Sequence, residues 1–267
     1  MKHLVLIAFI FLTSCAQKGQ VPTSLQREPT LQPNPMVLEL NELQPLDGPV
    51  MTVGVYEFSD KTGQRKPADN IANLSSAVTQ GAEAWVIDAL LQAGNGTWFE
   101  VVERVGMDHV IKERQLIRNT RDNYEKENAT PLKPMKFAGL LVEGGIVGYD
   151  SNIETGGNGA MYLGIGTAVE YRVDTVTVAM RLVSVSTGRV LISVATEKTI
   201  ASYRQGANAF KFFDLGTEAL EIETGYSVNE PTNYAVRQAI ESAVIEVIIQ
   251  GEKQGLWKFK KDKTSSS

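Results

Sequence analysis

One alternating stretch of the sequence, Leu163 to Val185, changes its apolar side halfway along. Up to Val173 the large apolar residues occupy odd positions, whereas from Val176 to Leu182 they occupy even positions. Successive side chains of a strand point to opposite faces, so this change moves the buried face to the other side of the strand. A strand of this kind passes from one environment into another, and the fold must contain both.

The N-terminus has the features of an exported lipoprotein. Residues 1–14 combine a basic start with an apolar run too short to span a bilayer, which is typical of a signal peptide. The run ends in LTSC, which resembles a bacterial lipobox, and Cys15 is the only cysteine of the chain. We therefore expect N-acyl diacylglycerol on Cys15 and no other cofactor. The alternative is an ordinary secreted protein with a chance cysteine.

The residue after the cysteine predicts the destination. An aspartate there is the usual signal for retention in the inner membrane, and this chain has Ala16 instead. The predicted location is therefore the cell outer membrane. Residues 15–48 are rich in proline and show no hydrophobic period, so we expect them to form a lipidated tether.

Beyond the tether, the patterns predict an α+β periplasmic domain, a sheet with packed helices. A helix is expected from Ser75 or Ser76, and a second one has four apolar residues that should face inward: Val110, Ile111, Leu116 and Ile117. A last helix is expected from about Tyr234 to Glu252. The predicted parts are 49–147 for the first part of the domain, 175–194 for further strands, 227–257 for the C-terminal helix and 258–267 for a polar basic tail.

Two segments exceed what such a domain needs, residues 148–174 and 195–226. Each has two alternating arms around a turn, and arms of about ten residues match tilted membrane strands. On the first, the apolar side holds Leu163, Ile165, Val169, Tyr171 and Val173, and the other side includes Glu170, Arg172 and Asp174. Charges in lipid would cost roughly 2–4 kcal/mol each near the midplane, so the apolar side is predicted to face lipid and the charged side a water-filled lumen.

The second segment carries the same alternation near its end. Glu221 and Glu223 lie on one side of the strand, with Leu220 and Ile222 on the other. The two glutamates are therefore predicted to face the lumen. Repeated around a ring, they would make an electronegative wall.

If these hairpins lie in a membrane, the protein must be an oligomer. Two hairpins supply four strands, whereas single-chain barrels have about eight or more, and lipid does not tolerate unpaired strand edges. Each subunit would therefore give two transmembrane β-hairpins to one oligomeric β-barrel. The alternative is that both are long hairpins of a soluble sheet, in a periplasmic cell-envelope assembly lipoprotein that acts as a scaffold.

Motifs along almost the whole chain resemble a known family, the curli secretion channels. They include DKTGQ, ANLSSAV, VERVGMDHVIKERQLIR, VEGGIVGYDSN, VSTGRVL, ALEIETGY and GLW, in order from residue 60 to 257. The resemblance implies a homo-oligomeric ring of about nine subunits, closed by rotational symmetry. It also implies export of unfolded curli-type amyloid subunits without nucleotide energy, a periplasmic accessory capping protein and a surface-side accessory protein.

The resemblance also implies a pore constriction in the segment KPADNIANLSSAV. In the family this loop carries a Tyr, an Asn and a Phe. Here Asn73 matches the Asn, Leu74 stands in place of the Phe, and the Tyr position falls at about Ala68 or Asp69. Asn73, Leu74 and Asp69 are therefore the predicted constriction residues, because one side chain repeated around a ring forms a collar. The alternative is an ordinary loop before a helix.

Other classes of function receive little support. His109 is the only histidine outside the leader, and the single cysteine is expected to be lipidated, so neither a Cys–His pair nor a cysteine metal site is expected. The prediction is that the protein is not an enzyme and binds no metal. A net charge of −5 gives no support to nucleic-acid binding, which would require a basic face.

Overall fold

The computed structural model describes residues 35–64, 77–156, 169–204, 210–215, 220–221 and 231–260. In these ranges the chain forms one mixed sheet with helices packed against it. The helices are α1 (Val37–Glu42), α2 (Glu83–Gly96), α3 (Met107–Tyr124) and α4 (Pro231–Lys253). The strands are β1 (Met51–Asp60), β2 (Phe99–Val102), β3 (Leu140–Gly156), β4 (Val169–Ser184), β5 (Val190–Arg204), β6 (Phe210–Leu215) and β7 (Leu220–Glu221).

The sheet has the order β2-β1-β3-β4-β5-β6-β7. β1 runs parallel to both β2 and β3, and every later pair is antiparallel. β4 and β5 are joined at a turn where Gly188 has a φ of 68°, a conformation that glycine adopts without steric cost. The hairpin predicted around this glycine is confirmed.

The core lies between one face of the sheet and helices α2 and α4. The even-numbered apolar residues of β4, from Val176 to Leu182, are all buried there. α4 contributes the side predicted from its period: Val236, Ile240, Val244 and Ile248. Each aliphatic side chain buried in this way stabilises the folded state by about 1.5–3 kcal/mol relative to leaving it exposed. The sheet-on-helix architecture predicted from the sequence is confirmed.

Helix α2 begins later than the sequence pattern predicted. It starts at Glu83, whereas Ser75 or Ser76 was the expected cap. Val78 and Ala82 are nevertheless buried, as the apolar pattern required, but they precede the helix. The pattern therefore identified the buried side chains correctly and assigned part of a turn to the helix.

Helix α3 differs more from expectation, because none of its residues is buried in the described chain. Of the four residues predicted to face inward, Val110 and Ile117 are half-buried. Ile111 and Leu116 are exposed, Leu116 by 59%, and for these two the prediction is wrong. The helix instead contacts the segment that follows it, where Arg114 donates a hydrogen bond to the carbonyl of Lys133 at 2.7 Å. A helical period indicates an apolar side but not which surface covers it.

The C-terminal end of the domain closes over an aromatic cluster. Trp98 contacts Trp257 and Phe259 edge to face, with ring centroids 5.8 and 5.6 Å apart, an arrangement that aromatic quadrupoles favour. The indole N–H of Trp98 donates to the carbonyl of Gln44, and that of Trp257 to the carbonyl of Ile248. These contacts fix both chain ends of the domain beside α4.

Candidate functional site

The candidate site is the set of strands that continue past the layer of helices. We call them the strand extensions: residues 151–156 of β3, 169–173 of β4, 201–204 of β5, and β6. β3 and β4 remain paired from Ser151 opposite Asp174 to Gly156 opposite Val169. β5 and β6 pair between residues 200 and 214, and β4 also pairs with β5 as far as Tyr171. Four strands therefore leave the domain side by side in one hydrogen-bonded sheet.

The backbone of β4 runs unbroken through this boundary. Its pairing with β3 advances one residue at a time from Val169 to Leu182, and the one register shift in this range lies in β3, between Ile146 and Gly148. The odd and even positions of β4 therefore keep their two faces from the core into the extension. The change of apolar side in the sequence therefore does not come from a kink or bulge in β4.

Asp174 marks the boundary, and its position differs from the prediction. It shares the even face of β4 with Val176, and its side chain is only 2% exposed. The Tyr149 hydroxyl donates a hydrogen bond to Asp174 Oδ1 at 3.1 Å. The alternation assigned the correct face, but the covered part of the sheet reaches one pleat further than the apolar pattern indicated. Asp174 is therefore a buried, hydrogen-bonded group in the single chain and not a water-facing one.

The structure locates the other predicted residues to different extents. Val173 is half-buried on the opposite face of β4. Four more lie on β4 and one on β7, where the structure describes the backbone: Val169, Glu170, Tyr171, Arg172 and Glu221. The remaining predicted residues fall outside the described ranges, namely Cys15, Asp69, Asn73, Leu74, Leu163, Ile165 and Glu223. Their roles stay predictions.

The sheet face opposite the helices carries small and polar side chains near the boundary. The hydroxyls of Thr175 and Thr199 lie 3.1 Å apart across β4 and β5. Further along, Arg181 donates to Glu143 at 3.2 Å. Cross-strand pairs of this kind stabilise a sheet modestly, by about 0.2–1 kcal/mol each. Of the two, only the Thr175–Thr199 contact lies next to the boundary, and the Arg181–Glu143 pair lies behind the core.

A second feature, which sequence reasoning missed, fixes the end of the tether to the domain. We call it the N-terminal clasp: Met36, Asp88, Arg237 and Glu241. The backbone N–H of Met36 donates to Glu241 Oε2 at 2.8 Å. Arg237 Nε donates to Glu241 Oε1 at 2.9 Å, and its Nη2 donates to Asp88. The clasp therefore joins the residue before α1 to helices α2 and α4.

The charges of the clasp lie inside the protein. Arg237 is 6% exposed in its side chain and Glu241 1%. Burial raises the pKa of Glu241, against the lowering effect of its hydrogen bonds from Arg237 and from the Met36 backbone. Because Arg237 divides its charge between two carboxylates, it compensates the desolvation of Glu241 only in part. A signal was present in the sequence, since Arg237 and Glu241 stand four residues apart on one helix, each directly after a residue of its apolar side, Val236 and Ile240.

Neither the extensions nor the clasp has the composition of a metal centre. In the ranges that the structure describes, there is no group of three or more His, Cys, Asp or Glu side chains that could hold a metal ion. None of the helices in those ranges is both long and apolar enough to cross a membrane.

These features define a class of protein: a two-layer α/β domain whose central strands continue in register past its helices. Sequence comparison identifies the family within that class. Residues 37–267 match the model of the family described as "Curli production assembly/transport component CsgG". The chain therefore belongs to the CsgG family.

Individual relatives agree with this assignment. The chain is 39% identical to the curli production assembly/transport component CsgG of Salmonella typhimurium strain LT2, over 95% of this chain and 90% of the relative. It is also 39% identical to the protein of the same name from Escherichia coli K12, over 95% of this chain and 89% of the relative. Among solved structures, a PelC dodecamer from Paraburkholderia phytofirmans matches 76% of this chain and 92% of its own at 14% identity, with a TM-score of 0.32. A likeness that low carries no further inference.

Proposed function

We propose that this chain is one subunit of an outer-membrane secretion channel that exports curli-type amyloid subunits to the cell surface. Membership of the CsgG family supports a role in curli production and transport. The observation that carries the channel is the set of strand extensions, in which four paired strands leave the domain as one sheet.

The physical argument for a ring starts from the edges of these strands. A few strands with open edges cannot lie in lipid, because each unpaired backbone group would cost several kcal/mol. Copies of the chain placed side by side pair those edges and close a barrel. The proposed assembly is therefore a homo-oligomeric ring in the outer membrane, with the α/β domain in the periplasm and acyl chains on Cys15.

The proposed lumen follows from the strand parity. Glu170, Arg172, Glu221 and Glu223 face water, and Leu163, Ile165, Val169, Tyr171 and Val173 face lipid. A loop from each subunit, with Asn73, Leu74 and Asp69, narrows the pore on the periplasmic side. Cargo passes through unfolded and without nucleotide hydrolysis, and accessory proteins act at both ends.

Electron microscopy of the detergent-purified protein tests the assembly directly. Rings with a central opening and a transmembrane barrel are expected. Monomers or compact particles without an opening would contradict the channel and favour a periplasmic scaffold.

Acylation is tested with Cys15→Ala. This variant should remain an unacylated precursor, and palmitate label on it would overturn the lipobox assignment.

Cargo transport is tested separately in cells. In a host that lacks its own channel, the intact gene should restore amyloid on the cell surface, measured as Congo red binding. Ring formation without surface amyloid would show that the pore exists but that its cargo is of another kind.

A further inference from the structure

Helix α3 and the segment after it form an arm with a strong charge bias. Residues 104–136 contain eight Lys and Arg residues and five Asp and Glu residues, in a chain whose net charge is −5. The arm carries no buried helical residue and is held mainly by its own contacts, including the hydrogen bond from Arg114 to Lys133. Its basic side chains are therefore concentrated on a surface that the sheet does not cover.

Three arginines of this arm line one groove. Arg114, Arg118 and Arg121 stand four and three residues apart, which places them on one side of a helix. Together with Asp122 and residues 129–132, they enclose a groove of about 340 Å³. Asp122 is the one carboxylate in that lining, so the groove has a net positive charge.

The three guanidinium groups are occupied to different degrees. Arg114 and Arg121 each donate to a backbone carbonyl of the following segment, those of Lys133 and Thr130. Arg121 Nε also lies 3.9 Å from Glu125 Oε2, a partly exposed ion pair. Arg118 has no hydrogen bond or ion pair with any residue in the described part of the chain. Since a guanidinium has five N–H donors, most of the donors in the groove remain available.

The chemistry of this lining selects its ligand. Guanidinium forks match the two oxygens of a carboxylate, and charge-assisted bonds of this kind are the stronger class of hydrogen bond. Ala129, Pro131 and Leu132 add apolar surface beside the arginines, which a peptide can contact and a bare anion cannot. We propose that the groove binds an acidic peptide segment, with Arg118 as its principal contact.

This inference does not depend on the channel, because it concerns the arm alone. A fluorescein-labelled peptide of six glutamates, amidated at its C-terminus, is the probe, and its anisotropy is measured against the full-length protein in detergent. The peptide should bind saturably to the parent protein and more weakly as salt rises. A matching glutamine peptide should not bind.

Variants distinguish binding in the groove from non-specific electrostatic attraction. Arg118→Gln should weaken binding of the glutamate peptide about tenfold or more. The affinity of Arg118→Lys should lie between those of Arg118→Gln and the parent, because lysine keeps the charge but not the planar guanidinium fork. Arg189→Gln removes the same charge from the exposed β4–β5 turn and should bind as the parent does. Arg118 holds no backbone carbonyl, so its loss leaves the arm's internal hydrogen bonds intact.

Several results would overturn the proposal. If the parent and Arg118→Gln bind the peptide equally well, the peptide does not bind in the groove. The same conclusion follows if Arg189→Gln weakens binding as much as Arg118→Gln does. Competition by inorganic phosphate at the same concentration as the peptide would show a simple anion site. Binding to vesicles that contain phosphatidylglycerol, without binding to the peptide, would assign the arm to a membrane surface instead.

Discussion

Arg237 Nε and Glu241 Oε1 lie 2.9 Å apart on consecutive turns of α4, with both side chains almost fully buried. The same glutamate accepts the backbone N–H of Met36. One buried ion pair therefore sets both the packing of α4 and the point at which the N-terminal segment meets the domain. Removing one partner of such a pair leaves an uncompensated charge, which costs far more than removing both.

The first prediction concerns this pair. Arg237→Met should lower the free energy of unfolding by about 3 kcal/mol, because Glu241 is then buried without its counter-charge. Urea unfolding followed by tryptophan fluorescence measures the change, since Trp98 and Trp257 report on the core. The double variant Arg237→Met with Glu241→Leu should recover most of the loss.

Two controls accompany that measurement. Lys253→Met removes a charge from the exposed end of α4 and should change stability little. Asp88→Asn should cost about 1 kcal/mol or less, because the Asp88 side chain is 42% exposed and solvent screens its pairing. A double variant no more stable than Arg237→Met would mean that packing, and not charge, explains the effect.

The second prediction concerns pH. Since the pKa of Glu241 is raised in the folded protein, the folded state holds a proton that the unfolded chain has released once the pH exceeds about 4.5. The free energy of unfolding should therefore fall as pH rises from there through the raised pKa. Glu241→Gln removes this titration, so the parent should lose stability relative to the variant across that range. An opposite trend would mean that pairing with Arg237 outweighs burial.

The third prediction tests the aromatic closure. Gly251 lies directly beneath the indole of Trp257, and a Cβ there would overlap the ring. Gly251→Ala should displace Trp257 and lower the free energy of unfolding by about 1–3 kcal/mol, as overpacking generally does. Tryptophan fluorescence should shift as the ring leaves Trp98. Gly81→Ala is the control, because its Cβ would meet only Glu83 Oε1 at an ordinary 3.7 Å; equal losses at both glycines would contradict this explanation.

The fourth prediction tests the proposed faces of the first hairpin. Ile165→Arg or Val169→Arg places a charge on the side proposed to meet lipid, at roughly 2–4 kcal/mol per subunit near the midplane. Gly164→Arg and Ala168→Arg place it on the side proposed to meet water. The amount of heat-labile oligomer on a gel should fall sharply for the first pair only. Equal damage by both pairs would reject the assigned faces.

Local patterns predicted the elements whose partners lie close in the sequence and the elements whose apolar period continues over many residues. The even-numbered face of β4 and the apolar side of α4 were predicted because alternation and helical spacing follow directly from backbone geometry. The same reasoning placed Ile111 and Leu116 inside, whereas both side chains are exposed in the part of the chain that the structure describes. Periodicity describes one element, and burial depends on two.

The clasp was missed for a related reason. Met36 and Glu241 are separated by 205 positions, and a contact between them depends on how α1, α2 and α4 come together. Asp174 was misplaced because its burial depends on what covers this face of β4, and alternation along the strand does not determine that. The features that the sequence did not reveal are therefore those that depend on contacts between elements far apart in the sequence.

The unbroken pleat of β4 limits how the length of this chain can change. One residue added between Asp174 and Val176 would exchange the two faces of everything on one side of it, because side chains alternate strictly along a strand. Two added residues would restore both faces. Insertions and deletions at this boundary should therefore survive in pairs during evolution, unless a bulge such as the one in β3 between Ile146 and Gly148 absorbs the odd residue.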